Sequence, residues 1–174
     1  MKKRSVRELA DKILEVLRSI CQSTTPGKKM VQKLVYLVER KGMDLGLDFR
    51  IHFYGPYSAE LDHFLHFYEA ENLLEIDTSG PTHKIIMSST KEDRDLAHSE
   101  EDIVNYIIER YAGKTPLELE VLTTTDFVAC DLERKNELST DSIVAGVRKI
   151  KGSKFTNREI LDSVTELHEN GFLN

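Results

Sequence analysis

Between Phe49 and Tyr68 the chain changes its period. Phe49, Ile51 and Phe53 alternate with Arg50, His52 and Tyr54, the two-residue repeat of a strand with one apolar side. Leu61, Phe64, Leu65 and Tyr68 then recur every three or four residues, as on one face of a helix. Only Gly55 and Pro56, with Tyr57 and Ser58, separate the two patterns. A chain that switches this abruptly has to place strand and helix side by side, which points to an α+β fold. Gly55 can adopt a backbone angle closed to other residues and so leave the strand sharply. Pro56 suits the first turn of a helix, where its missing amide costs nothing. The expected elements are a strand over 49–54 and a helix from Tyr57 or Ser58 to Asn72.

The flanking sequence is mostly helical. Ser5-Val6-Arg7-Glu8 fits a capping box. It opens a helix over 6–21 in which Val6, Leu9, Ile13, Leu17 and Ile20 form the buried stripe. Gln22 to Gly27 is a loop by composition. A second helix follows over 28–41, with Met30, Val31, Leu34, Val35 and Val38 inward and Gly42 at its end. Leu74-Glu75-Ile76 and Lys84 to Met87 read as a hairpin about Ser79-Gly80-Pro81. Helix, helix, strand, helix and hairpin together predict a winged-helix-like unit over residues 1–90. The polar stretch 89–98 is the expected boundary. Beyond it, helices are expected after Ser99, Thr115, Ser139 or Thr140, and Thr156. Thr115-Pro116-Leu117-Glu118 and Thr156-Asn157-Arg158-Glu159 are strong start signals. The expectation is a mainly α (α+β) protein, with a helical unit over 99–174 packed against the first as one compact domain.

The 174 residues suffice for a core without metals or disulfides. No run of 18 apolar residues occurs, so no membrane span is expected. The basic start is not a leader peptide by composition, because Glu8, Asp11 and Glu15 interrupt its apolar positions. Cys21 and Cys130 sit in apolar-periodic segments, consistent with reduced thiols in a cytoplasmic protein. Charge is uneven: residues 1–50 hold 12 Lys+Arg against 6 Asp+Glu, and residues 51–174 hold 12 against 24. A basic N-terminal third can face an acidic partner or a nucleic acid, or be a solvated helix surface.

No HExxH, GxSxG, GxGxxG or CxxC occurs, and Gly27-Lys28-Lys29 matches only the end of a phosphate loop. No catalytic activity, cofactor or metal is expected. His63 and His66, three apart on one helix, are the one pair spaced for a metal, and they have no third ligand fixed by spacing. For duplex DNA, the helix after Gly55-Pro56 is acidic, with Glu60, Asp62, Glu69 and Glu71 and no Lys or Arg from Tyr57 to Asp77. Nucleic-acid binding would therefore rest on Lys28, Lys29, Lys33, Arg40 and Lys41, or on Arg148, Lys149, Lys151 and Lys154. The second cluster ends a helix, where cations favour the dipole without any ligand.

Two segments carry a family likeness. Gln32-Lys33-Leu34-Val35-Tyr36-Leu37, then Phe53 followed by Gly55-Pro56-Tyr57-Ser58 and Glu60-Leu61, resembles the small bacterial and archaeal proteins typified by YwgA. More distantly it is similar to the Panacea domain of SocA-like antitoxins. The segments LELEVLTTTDFV and KGSKFTNREI also look similar to the YwgA-like group. The likeness covers residues 5 to 172. It implies a protein that binds another protein, such as a toxin or a client delivered for proteolysis. The leading expectation is a non-catalytic regulatory or adaptor protein, antitoxin-like and homodimeric. Its expected partner surface is the GPYS junction with the second helix, read through Lys33, Tyr36, Tyr54, Tyr57 and Ser58. The alternative is a DNA-binding transcriptional regulator using the basic N-terminal helices.

Overall fold

The computed structural model describes residues 6–89 and 96–174. In chain order its elements are α1 (Val6–Ser23), α2 (Lys28–Arg40), β1 (Arg50–His52), β2 (Gly55–Tyr57) and α3 (Ala59–Ala70). There follow β3 (Leu74–Asp77), β4 (Lys84–Met87), α4 (His98–Tyr111), α5 (Pro116–Arg134), α6 (Thr140–Lys151) and α7 (Asn157–Glu169). The fold is mainly helical, with two small antiparallel hairpins, β1–β2 and β3–β4. No described helix is long and apolar enough to cross a membrane. The expected capping box at Ser5 and most of the polar stretch 89–98 lie outside the described residues.

The chain packs as two units, one of residues 1–49 and 58–113, the other of residues 50–57 and 114–174. The chain passes from one unit to the other after Phe49, after Tyr57 and after Gly113. Helix α4 groups with the first unit because it packs on α1 and α2.

In the first unit, α1 buries Ile13, Val16, Leu17 and Ile20 along one face. Helix α2 departs from a single stripe: every side chain from Val31 to Val38 is buried, Gln32, Lys33 and Tyr36 included. Met30, expected inside, is half-buried. The segment before α2 is tied to the second hairpin. Lys28 N–H donates to the His83 carbonyl at 2.8 Å, and Ile85 N–H to the Pro26 carbonyl at 2.9 Å. The loop after α2 is held by Glu39, whose carboxylate accepts the N–H groups of Leu45 at 3.2 Å and Leu47 at 3.0 Å. Tyr68 on α3 donates its hydroxyl to the Ala10 carbonyl on α1.

In the second unit, α5 packs on α6, α7 and β2. The start signals at Thr115 and Thr156 form the predicted boxes. Each Thr hydroxyl accepts the N–H three residues on, and each Glu three residues on accepts the Thr N–H. The strand over 49–54 needs correction. The chain turns at Phe53-Tyr54 and comes back, so that Gly55, Pro56 and Tyr57 pair with His52, Ile51 and Arg50. Phe53 is 72% exposed at this turn rather than inside. Pro56 stands opposite Ile51 on a two-stranded ribbon, an edge setting that tolerates a residue without an amide, and it does not start α3. The sharp exit belongs to Gly55, at φ +98°. An ideal Cβ on Gly55 would stand 3.2 Å from Thr124 Oγ1, so both angle and space call for glycine.

Candidate interaction surface

Three of the five residues expected to read a partner are interior. Ser58 is fully buried, Lys33 is 3% exposed and Tyr36 is 4% exposed. Ser58 is the N-cap of α3: its hydroxyl accepts the Leu61 N–H at 3.3 Å and donates to Glu60 at 2.9 Å. Tyr36 meets Phe49 edge to face, ring centroids 5.3 Å apart. Lys33 reaches back along its own helix to the Lys29 carbonyl at 3.3 Å. Tyr54 is exposed at the β1–β2 turn, and Tyr57 is half-buried with its ring 5.3 Å from that of His52.

The pairing of QKLVYL with GPYS rests on Gln32. Its buried amide accepts the Ser58 N–H at 2.8 Å and donates to the Ser58 carbonyl at 3.0 Å. One side chain thus satisfies both backbone groups of the residue at which α3 begins.

The basic residues are largely engaged within the fold. Lys28 pairs with Asp62 at 2.6 Å, Lys41 lies 5.1 Å over the Tyr106 ring, and Lys33 is buried. Lys29 is exposed and Arg40 half-buried. In the second cluster, Lys151 and Lys154 both donate to Glu120, at 2.9 and 2.7 Å. Lys151 also donates to the Phe53 carbonyl, which ties α6 to the β1–β2 turn. Arg148 donates to the Asn157 side chain at 2.6 Å. Burial pushes the Glu120 carboxyl up, but the hydrogen bonds from Lys154 and Lys151 outweigh this and hold it below its usual range. Nor does the N-terminal charge excess make a basic unit: the first unit carries 15 Lys+Arg against 19 Asp+Glu.

His66 lies 3.5 Å from Glu69 and 3.8 Å from Asp62. Among the described residues no group of three or more His, Cys, Asp or Glu side chains is placed to hold a metal ion. Burial pushes the Cys21 thiol up to about 11, so it is protonated near neutrality and a poor nucleophile.

A concavity of about 1030 Å³ lies elsewhere, between α1 and α3 in the first unit. Ala10 and Leu14 on α1 line it, facing Phe64, Phe67 and Tyr68 on α3. Phe67 is 52% exposed there. Phe64, expected in the core, is half-buried and also lines the groove. Asp11, Glu60 and Glu71 stand on the rim with Arg7, while Arg18 pairs with Glu15 at 3.5 Å. Burial, and then the charge of Asp11, pushes the Tyr68 hydroxyl well above its ordinary value, so it stays protonated and keeps its bond to Ala10. The sequence did carry a sign of this groove. Helix α3 has apolar residues on more than one face, since Phe67 falls beside rather than within the stripe of Leu61, Leu65 and Tyr68.

No protein-family model matches the chain, and no curated protein matches it significantly.

Proposed function

We propose that this protein is a non-catalytic, regulatory protein-interaction module that receives its partner in the α1–α3 groove. The groove carries this reading. An apolar furrow of this size, with a half-exposed Phe67 and a charged rim, has the make-up of a protein-docking surface. The resemblance to YwgA-like proteins and to the Panacea domain of SocA-like antitoxins supports an antitoxin or adaptor role in the cytoplasm. The burial of Lys33, Tyr36 and Ser58 moves the proposed contact from the GPYS junction to the groove.

The test is co-purification of the tagged protein from its native cells, with and without nuclease, beside the variants Ala10→Arg and Phe67→Ser. One protein partner in fixed ratio, surviving nuclease and lost from both folded variants, is expected. Nucleic acid in the untreated sample, with no stable protein partner and with salt-sensitive retention, would replace this reading by the DNA-binding regulator.

A further inference from the structure

We infer that the α1–α3 groove takes an amphipathic helix of a partner protein that carries Lys or Arg along its flanks. This rests on the reading of the groove as a partner-binding surface and names the chemistry of its occupant. The walls decide the conformation of that occupant. Both are helices, whose backbone groups are already paired within themselves, so the groove offers no sheet edge. An extended segment would lay unpaired amides on the apolar floor of Ala10, Leu14, Phe64 and Phe67, whereas a helix satisfies its own. The lining residues of α1 run from Val6 to Arg18, about 18 Å of helix axis, which matches an occupant of about three turns.

The rim decides its charge. Arg18 and Glu15 neutralise each other. On α1, Arg7 and Arg18 balance Asp11 and Glu15, so among the described residues the acidic excess of the rim lies on the α3 wall, at Glu60 and Glu71. A basic flank complements that excess, and an acidic one is repelled. A second copy of the chain docked by two-fold symmetry would bring this acidic rim against itself.

The test uses the full chain and two synthetic peptides of about 14 residues, long enough to cover the groove. Both carry Leu at helical spacing; one has Lys along its flanks and the other Glu. Binding is read by fluorescence anisotropy. The Lys peptide is expected to bind about tenfold tighter, the combined effect of a few exposed charge pairs. Added salt should narrow the gap. Glu71→Lys, at the C-terminal end of α3 where a cation suits the helix, and Glu60→Gln should each reduce the preference while leaving the fold intact. Ala10→Arg should abolish binding of both peptides.

If the groove variants lose the native partner but the peptides bind equally or not at all, the helical, basic occupant is wrong and the docking surface stands. If the groove variants keep their partner and neither peptide binds, the reading of the groove itself fails. A concentration-dependent dimer in sedimentation that Ala10→Arg dissolves would put a second copy in the groove and overturn the inference.

Discussion

The Gln32 side chain decides where α3 begins. Its amide occupies both the N–H and the carbonyl of Ser58, in a place without solvent. Replacing it with Leu keeps the approximate volume but strands the buried Ser58 N–H and leaves the Ser58 carbonyl with the Asp62 N–H alone, at 3.2 Å. A buried backbone group left unpaired costs on the order of 1–3 kcal/mol, so Gln32→Leu should lower stability by about 2 kcal/mol. Gln32→Glu keeps the acceptor for the Ser58 N–H but sets a carboxylate against the Ser58 carbonyl, and should be no better. Urea unfolding followed by circular dichroism measures both. A loss near zero for Gln32→Leu would mean that the clamp is incidental. The sequence shows Gln32 only as a polar residue at the edge of an apolar stripe. Its role depends on a residue 26 positions away, which no local pattern reveals.

At the scale of elements, what was legible was what is local. Capping boxes at Thr115 and Thr156 are written within four residues, and both helices start where those residues place them. The β3–β4 hairpin is announced by Ser79-Gly80-Pro81 and by its strands. The β1–β2 hairpin was missed because its turn residues, Phe53 and Tyr54, are aromatic and continue the alternation. The burial of α2 from Val31 to Val38 was missed because burial depends on neighbours that a helical period does not name. Gly146 is a further case. It lies inside α6, where glycine costs about 1 kcal/mol relative to alanine. An ideal Cβ there would stand 2.6 Å from Val128 Cγ1 on α5. The glycine therefore lets the two helices approach. Gly146→Ala should destabilise by about 1–2 kcal/mol, since overpacking against a stiff β-branched neighbour exceeds the gain in helix propensity. The double variant Gly146→Ala/Val128→Ala should recover a large part of that loss. Thermal unfolding of the four proteins of this cycle tests the claim, and strict additivity would refute the contact.

Over the whole molecule the same carboxylates set the response to acid. Asp77 is held below its ordinary value by the Ser79 hydroxyl and N–H, Glu118 by the N–H and hydroxyl of Thr115, and Glu159 by those of Thr156. Glu120 is held low by its two lysines, against its burial. Glu39 goes the other way: burial raises it, more than the N–H groups of Leu47 and Leu45 lower it. A lowered carboxyl gives stability that is fully present above its unfolded value, 4.5 for Glu120, and is lost as pH falls through the folded value. The raised Glu39 acts in reverse and costs stability as pH rises from 4.5 toward its folded value. Four groups against one predict stability that climbs as pH rises toward 4.5 and then declines slightly above it. Glu39→Gln should remove the decline and leave the climb. Glu120→Gln should weaken the climb and also lower stability near neutrality by about 3 kcal/mol, because Lys151, 4% exposed, is left without its carboxylate. The added variant Lys151→Met should recover part of that loss by removing the stranded charge. Urea midpoints across this range decide it: stability that rises on acidification would show that the capped and paired carboxylates do not govern the acid response.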